Sequence, residues 1–409
     1  MKLYFDRLDN NDSNVSELEK GPNTDYWLVA PGAPIKKTVM EMNLPVDTLD
    51  KIDDVGVYIV DVRGDPNWWA GVLTQHDVPT RHIISCLPER ILSLVRNKKI
   101  RLVIAADREG GPMITQDWDC FRTTYSAIKE AHLPTNSVLI THGNRKIEKQ
   151  YNKWLLDNSV DRIYDVMYSN HFGNIFLDGN IPNTPIINES IRIDGKDFNS
   201  LNRVYRPQRG AHLYRCIVDG ILDNGLISGN QIKLNDEVTE LLCEGKYDII
   251  SKHFPKFIDG DWSNTNAANQ YNVDIYRNSL MTVITETMFE HDVAFITEKI
   301  FKPITLGHPL ILFASQGTLE NLREMGFRTD WCGIDSAYND IEDPIQRFKA
   351  TQAELLSWVR LTRKDKIQRI KDSMDTIEHN FHVIRNRDFY KEAILEIMNR
   401  SKVYFNETI

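Results

Sequence analysis

The stretch that decides the fold of this chain runs from Ser279 to Gly326 and reads SLMTVITETMFEHDVAFITEKIFKPITLGHPLILFASQGTLENLREMG. Residues 279–286 predict a buried strand that ends at a carboxylate. Thr297 predicts a helix start, because its hydroxyl can accept from the free backbone N–H groups of the following turn. A second strand at residues 309–313 leads into another helix start at residues 315–317. This pattern predicts two strand–loop–helix units, with polar groups gathered at one edge of a parallel sheet.

The predicted helix start at Thr297 suits a phosphate. A helix N-terminus presents unsatisfied N–H groups and a partial positive charge, and Lys299 adds a full charge. Glu286 and Glu298 cannot bind phosphate, but carboxylates accept well from sugar hydroxyls. Together these residues predict a nucleotide-sugar site, although a Thr-Glu-Lys tripeptide by itself is more often the cap of a surface helix.

Three arginines, Arg203, Arg206 and Arg209, follow a predicted strand at residues 198–202 and enter a predicted helix. Guanidinium groups match the oxygens of a diphosphate. When a diphosphate leaves a sugar without help from a metal, cations and helix N–H groups must compensate its charge. We therefore expect Arg206 and Lys299 to hold the diphosphate, with Arg203 and Arg209 beside it. The alternative is a solvated basic helix start.

The segment FITEKIFKPI at residues 295–304, preceded by Glu286, resembles the donor-site signature of the alpha-1,3-fucosyltransferase family. It resembles most closely a fucosyltransferase-like group, many of them viral or phage-encoded. That group has an Asn-Arg-x-x-Arg-x-x-Arg segment upstream, here residues 202–209, and a His-Pro-hydrophobic strand downstream, here residues 308–313. The resemblance covers roughly residues 198–348. Thr287-Met288 stands where the fucosyltransferases have Asn-Ser, so the sugar stays open.

The resemblance implies the GT-B architecture, an α/β fold of two Rossmann-like domains facing each other across a cleft. Its first domain mostly binds the acceptor, and its second mostly binds the donor. The resemblance also implies a general base in the first domain, where fucosyltransferases are thought to use a Glu. An apolar strand at residues 100–106 ends in Asp107-Arg-Glu109-Gly-Gly, so Glu109 is the candidate and Asp107 the second. Acidic turns at strand ends are also common in proteins without catalysis.

Composition and segment order indicate two soluble domains. A chain of 409 residues is too long for one ordinary core. Predicted strands, among them residues 26–29, 81–84 and 247–250, alternate with predicted helices, among them residues 209–222, 235–243 and 344–360. This alternation is typical of a parallel sheet covered on both faces. The Gly-, Pro- and Asn-rich stretch after residue 178 indicates the connection. We predict a domain at 1–180, a linker at 181–197, a donor domain at 198–375, and closing helices at 376–409, the last a candidate for returning to the first domain.

Charge, cysteine usage and the amino terminus narrow the function classes. The first residues, MKLYFDRLDNNDSN, contain no apolar segment, so we expect a cytoplasmic protein, or one of the host cytoplasm if it is viral. Five cysteines without Cys-x-x-Cys spacing predict reduced thiols and no zinc site. A net charge of −9 disfavours broad nucleic-acid binding but is compatible with a local basic groove. The charges available for such a groove in the first domain are Lys98, Lys99, Arg101, Arg108, Arg145, Lys146 and Lys149.

Further candidates are weaker. His142, Asn144 and Trp69 could contact the acceptor, although a lone histidine or tryptophan is more often structural. Ser315, Gln316 and Gly317 are candidates for holding the nucleoside. Asp259-Gly-Asp261 has the Asp-x-Asp form of metal-dependent transferases, but no apolar strand leads into it, so we predict no metal.

The sequence thus predicts a metal-independent, inverting glycosyltransferase (hexosyl-, pentosyl- or fucosyl-) that uses a nucleotide-diphosphate sugar of UDP or GDP type as co-substrate and needs no cofactor. The acceptor would be a glycan, a lipid-linked saccharide or a hydroxymethylated DNA base. Two alternatives stay open: a catalytically inactive nucleotide-sugar-binding protein, and an unrelated two-domain α/β ligand-binding protein.

Overall fold

The computed structural model divides the chain into two compact units. Unit 1 is Met1–His171 with Asp388–Ile409, and unit 2 is Phe172–Arg387. The structure describes residues 1–5, 38–48, 52, 54–62, 70, 74–75, 78–79, 82–106, 110–170, 182–230, 243, 246, 248–258, 272–290 and 292–408.

In the part of unit 1 that the structure describes, six strands form a parallel sheet in the order β2-β1-β3-β6-β7-β8. A separate two-stranded antiparallel ladder pairs β4 with β5. The strands of this unit are β1 Lys2–Phe5, β2 Val46–Thr48, β3 Gly56–Asp61, β4 Thr74–Gln75, β5 Val78–Pro79, β6 Ile100–Ala106, β7 Val138–His142 and β8 Asp165–Tyr168.

The described residues of unit 2 form a four-stranded parallel sheet in the order β10-β9-β11-β12. Its strands are β9 Phe198–Asn202, β10 Gly225–Gly229, β11 Thr282–Thr285 and β12 Leu310–Phe313. Because β10 lies on one side of β9 and β11 on the other, the strand order reverses between β9 and β11. Ligands of open α/β sheets bind outside the carboxyl ends of the strands at such a point.

The described helices cover both sheets. In chain order they are α1 Glu89–Arg96, α2 Cys120–Glu130, α3 Ile147–Asn158, α4 Ile187–Ser190, α5 Pro207–Val218, α6 Asp248–Ser251, α7 Val273–Arg277, α8 Glu298–Thr305, α9 Thr318–Glu324, α10 Pro344–Arg360, α11 Arg363–Asp372, α12 Met374–Asn386 and α13 Phe389–Thr408. Short 3-10 helices occur at Ile83–Cys86, Leu222–Asn224 and Ser336–Asp340.

The alternation of side chains along β6 explains why unit 1 has two cores. Leu102 and Ile104 pack with residues of α1, α2 and α3 on one face of the sheet. Val103 and Ala105 pack on the other face with Ile394 and the rest of the apolar side of α13. A strand buried on both faces reads as a continuous apolar run, as residues 100–106 do. The predicted α/β class with parallel sheets in two Rossmann-like domains is therefore confirmed.

Three local predictions were wrong. Residues 81–84 were predicted as a strand, but Ile83–Cys86 is a 3-10 helix whose start is capped by the His82 ring. Residues 247–250 were predicted as a strand, but Asp248–Ser251 is helical. The strand β10 was missed, because its sequence GLISG is short and bounded by glycines, and its pairing with β9 is a tertiary contact. The predicted strand at residues 26–29 and helix at 235–243 fall outside the described residues, except for Cys243.

The segment at 182–197, predicted as part of a linker, is packed within unit 2. The backbone N–H of Ile186 donates to the carbonyl of Leu306 at 2.7 Å, and Ser190 Oγ donates to the carbonyl of Tyr276 at 3.0 Å. The last helix, α13, belongs to unit 1. No helix in the described part of the chain is both long and apolar enough to cross a membrane.

Candidate functional site

The carboxyl edge of the unit 2 sheet brings together the two segments that the sequence singled out. The arginine segment leaves β9 at Asn202, and Glu286 follows β11, on the two sides of the point where the strand order reverses. Thr285 Oγ1 donates to Asn202 Oδ1, which links the two strand ends directly. The side-chain amide of Gln208, in the first turn of α5, donates to the carbonyl of Glu286 at 2.5 Å. The start of α5 is thus held against the loop that leads to α8.

Glu286 is the anchor of the α8 start. It is fully buried, and its Oε1 accepts from the backbone N–H and the hydroxyl of Thr297 at 3.0 and 2.7 Å. Its Oε2 accepts from the backbone N–H of Thr287 at 2.8 Å. Burial raises the pKa of this carboxyl above its ordinary value, although Lys299 acts in the opposite direction. Glu286 was predicted to accept from a sugar hydroxyl; in this structure both of its oxygens accept hydrogen bonds from the protein and connect β11 to the start of α8.

Thr297 caps α8 as predicted. Its hydroxyl accepts from the backbone N–H of Lys299 at 3.3 Å, and its backbone is extended, as an N-cap requires. The same hydroxyl donates to Glu286, so Thr297 itself is buried. Thr297 therefore connects the first turn of α8 to the buried Glu286 carboxylate.

Lys299 and Glu298 form an ion pair at the same helix start. Lys299 Nζ lies 2.7 Å from Glu298 Oε1 and donates to the hydroxyls of Thr287 and Thr297 at 3.3 and 3.2 Å. Burial alone would raise the pKa of Glu298, but the nearby lysines outweigh it and the net shift is downward. Both side chains keep some exposure, 26% for Lys299 and 15% for Glu298, so this pair is within reach of a ligand.

The three arginines divide into one buried and two accessible side chains. Arg209 is buried and donates to the carbonyl of Thr285 through Nε and Nη2, both at 3.2 Å, and to the carbonyl of Val204 at 2.7 Å. Arg209, predicted to lie beside the diphosphate, instead ties the loop after β9 to the end of β11. Arg206 is exposed and Arg203 is half-buried, so both side chains are accessible to a ligand.

The charged side chains of the arginine segment and of the α8 start act on one another. Burial lowers the pKa of Arg209 to about 10, and the charges of Glu286, Arg206 and Glu298 also act on it. Of the residues predicted for the site in these two segments, four are cations (Arg203, Arg206, Arg209 and Lys299) and two are carboxylates (Glu286 and Glu298), an excess of two positive charges. Such an excess at a helix start suits a diphosphate.

The Ser315–Gly317 loop follows β12, next to β11. Gly317 has φ +73°, and its N–H donates to the carbonyl of Asn339 at 2.9 Å. The Gln316 amide donates to the carbonyl of Asp340 at 2.9 Å. Ser315 is buried, and its hydroxyl has no partner within the described part of the chain. A buried hydroxyl of this kind is available to a ligand or to water.

Arg347 of α10 is a positioning residue that the sequence analysis missed. It is buried, and its guanidinium donates to the carbonyls of Phe289, Ala314, Ile341 and Glu342 at 2.5 to 3.0 Å. The same group lies over the Phe289 ring at 4.9 Å from its centroid. It therefore joins the loops that follow β11 and β12. Its partners are carbonyls, which every residue has, so no sequence pattern indicates this role.

The first-domain candidates are only partly described. Asp107, Glu109 and Trp69 lie outside the described residues, as does Asp259-Gly-Asp261. His142 and Asn144 are buried at the end of β7, and the Asn144 amide donates to Gln150 Oε1 at 2.8 Å. In the described part of the chain, no group of three or more His, Cys, Asp or Glu is arranged to hold a metal ion. All five cysteines are buried, and none of them forms a disulfide.

The basic residues proposed for a DNA groove do not share one edge of the sheet. Lys98 and Lys99 precede β6, whereas Arg145 and Lys146 follow β7, so the two pairs lie at opposite ends of parallel strands. Arg101 is buried and pairs with Asp165 at 2.6 Å. Among the described residues these charges form no continuous groove, and Arg108 lies outside them.

No protein-family model matches this chain, and neither does the sequence of any curated protein. The chain is similar to solved structures of low sequence identity. An alpha,alpha-trehalose-phosphate synthase (UDP-forming) from Burkholderia vietnamiensis is 11% identical, with a TM-score of 0.44 over 88% of this chain and 74% of that chain. The E. coli structure of trehalose-6-phosphate bound with UDP-2-fluoro glucose is 9% identical, with a TM-score of 0.42 over 98% and 99%.

The catalytic domain of starch synthase IV from Arabidopsis thaliana, bound to ADP and acarbose, is 11% identical, with a TM-score of 0.40 over 90% of this chain and 75% of that chain. With TM-scores below 0.5, these similarities carry no conclusion about what this chain binds.

Proposed function

We propose that this protein is a glycosyltransferase that binds a nucleotide-diphosphate sugar, of UDP or GDP type, at the carboxyl edge of the unit 2 sheet. The observation that carries the proposal is the convergence of the α5 and α8 starts around Glu286. The Gln208 amide donates to the carbonyl of Glu286, and the Glu286 carboxylate accepts from Thr297. A cationic loop and a helix start therefore meet at the carboxyl edge of the sheet, at its switch point, where ligands of open α/β sheets bind.

The diphosphate would be held by Arg206, Arg203 and Lys299, with the positive end of the α8 dipole adding to their charge. Lys299 would exchange part of its contact with Glu298, 2.7 Å away, for a phosphate oxygen. Glu298 would then be available to accept from a sugar hydroxyl. As the bond between the sugar and the diphosphate breaks, the same cations would stabilise the developing negative charge, which is the role a metal has in other transferases.

Chemistry at the acceptor is assigned from the sequence alone. Glu109, with Asp107 second, would take the proton from the acceptor hydroxyl, which would attack the sugar carbon from the side opposite the diphosphate and invert its configuration. The nucleoside would lie against the Ser315–Gly317 loop, where the Ser315 hydroxyl is available as a hydrogen-bond partner. We also propose that the protein belongs to the fucosyltransferase-like group and acts in the cytoplasm.

A thermal-shift screen against UDP, GDP and CMP sugars tests the proposal. One nucleotide class should raise the melting temperature, because a ligand at 100 times its Kd stabilises the folded state by about 2.7 kcal/mol. Hits would then be incubated with the protein and analysed by mass spectrometry for donor hydrolysis and transfer. Donor binding without any turnover would indicate the inactive binding protein instead, and no shift with any donor would contradict the proposed site.

A further inference from the structure

Unit 1 contains two histidines with the same local geometry. His82 Nδ1 accepts from the backbone N–H of Ile84, and His142 Nδ1 accepts from that of Asn144, each two residues further on and each at 3.1 Å. Both side chains are buried. Since Nδ1 is the acceptor in each ring, the single proton of the neutral imidazole lies on Nε2. Burial lowers the pKa of both rings to about 3, so both are neutral at neutral pH.

The two rings differ at Nε2. His82 Nε2–H donates a hydrogen bond to Thr124 Oγ1, 3.1 Å away. His142 Nε2 has no hydrogen-bond partner within the described part of the chain. A buried donor without an acceptor is costly, and native structures keep such a group only where water, a ligand or function accounts for it. The matched pair shows that this kind of turn leaves Nε2–H free to donate, and among the described residues an acceptor is present for His82 but not for His142.

The position of His142 indicates what the acceptor is. His142 is the last residue of β7 and pairs with Ala106, the last residue of β6, while its carbonyl accepts from the N–H of Ser169 just beyond β8. It therefore lies at the carboxyl edge of the unit 1 sheet, the edge at which ligands of α/β sheets bind. We propose that His142 Nε2–H donates a hydrogen bond to an uncharged oxygen, a hydroxyl or carbonyl, of the acceptor substrate.

This inference rests on the proposed function and deepens it, because it makes His142 a donor toward the acceptor and excludes two other roles. His142 cannot be the general base, since Nδ1 is occupied by the Asn144 N–H and Nε2 already carries the proton. It is equally unsuited as a metal ligand through Nε2, which would have to lose that proton. The general base must therefore be another group, and His142 positions the substrate.

The variant that tests the inference is His142→Asn. In this variant the Asn side-chain oxygen can replace Nδ1 as the acceptor for the Asn144 N–H, as in an Asx turn. The Nε2–H donor is removed. His82→Asn is the matched control, because the same change is made in the same kind of turn. We expect His142→Asn to weaken acceptor binding about tenfold, as the loss of one neutral hydrogen bond does, and His82→Asn to leave it unchanged. Nucleotide-sugar affinity should be unaffected in both.

The direct readout is the Nε2–H signal in NMR spectra of the protein labelled with ¹⁵N-histidine. The probes are methyl glycosides of glucose, galactose, mannose and N-acetylglucosamine, and an oligonucleotide that carries 5-hydroxymethylcytosine. At least one probe should shift the His142 Nε2–H signal downfield without moving the His82 signal. If no probe moves it, or if His142→Asn binds the effective probe as tightly as wild type, the donor is satisfied by resident water and the inference is wrong. Nucleotide-sugar binding, measured on the same sample, tests the proposed function separately.

Discussion

At the scale of single residues, some of the predicted site residues are buried and bind the protein itself, whereas others are accessible to a ligand. Glu286, Thr297 and Arg209 are buried and bind other parts of the protein, whereas Arg206 is exposed and Lys299 is partly exposed. The sequence predicts all five as site residues, because charge and spacing are visible in it. It cannot assign buried or accessible positions, since those depend on which carbonyls and carboxylates the fold brings alongside.

Glu286→Gln should destabilise the protein without removing any charge that faces solvent. The amide nitrogen would place a donor where the carboxylate now accepts from Thr297 or from the Thr287 N–H, leaving a buried mismatch worth about 1–3 kcal/mol. Urea unfolding followed by circular dichroism measures this loss. Glu320→Gln is the control, because Glu320 is exposed and its pairing with Arg323 is a surface contact. Equal unfolding midpoints for the two variants would contradict the anchoring role of Glu286.

At the scale of elements, the sequence predicted those helices and strands whose ends depend on contacts within a few residues. The cap at Thr297, the ends of β9 and the span of α10 were all predicted, because capping, alternation and a Pro start act within a few residues. The start of α5 at Pro207 was placed two residues late, although proline at the first helical position is a usable signal. The strand β10 depends on its pairing with the distant β9, and the 3-10 helix at Ile83–Cys86 is capped by a histidine ring, which is not among the preferred capping residues. Neither was predictable from the usual local signals.

Thr297→Val should loosen the start of α8. The change removes the hydroxyl that accepts from Lys299 and donates to Glu286, and a lost N-cap costs about 1–2 kcal/mol. Thr297→Ser keeps the hydroxyl and should restore most of the stability and of the nucleotide affinity. Thermal unfolding and titration with the nucleotide found in the donor screen measure the two effects. A valine variant as stable as the serine variant would show that the cap does not stabilise this helix.

At the scale of the whole molecule, the chain forms two units of one fold class, each built on a parallel sheet. The alternation of strands and helices predicted this class. The composition of residues 181–197 suggested a linker, yet the described part of that segment packs in unit 2, because the Ile186 N–H and the Ser190 hydroxyl find carbonyl partners there. The glycine and proline content of a segment indicates its local flexibility but carries no information about hydrogen-bond partners elsewhere in the chain.

The protein should lose stability in mild acid. Four buried histidines have folded pKa values below the ordinary 6.5, about 3 for His82 and His142 and about 4 for His212 and His308. Between pH 6.5 and about 4, these four side chains therefore take up protons mainly in the unfolded chain. Stability is intact above that value and falls as the pH decreases toward 4, by about 1.4 kcal/mol per pH unit for each histidine.

Urea midpoints at pH 7 and pH 5 measure this acid sensitivity. The midpoint should be clearly lower at pH 5, and His142→Asn should reduce the difference, since it removes one titrating group from the unfolded state. Identical midpoints at the two pH values would mean that these histidines are not buried in the neutral form.

The central claim is that the α5 and α8 starts jointly hold a diphosphate, and calorimetric titration tests it most directly. UDP and GDP would be compared with uridine and guanosine on wild type, Arg206→Ala, Lys299→Ala and the control Arg192→Ala, whose exposed side chain precedes β9. One diphosphate should bind far better than its nucleoside, and each site variant should weaken it about ten- to a hundredfold while the control matches wild type. Equal affinity for nucleoside and diphosphate, or unchanged binding in both site variants, would contradict the claim.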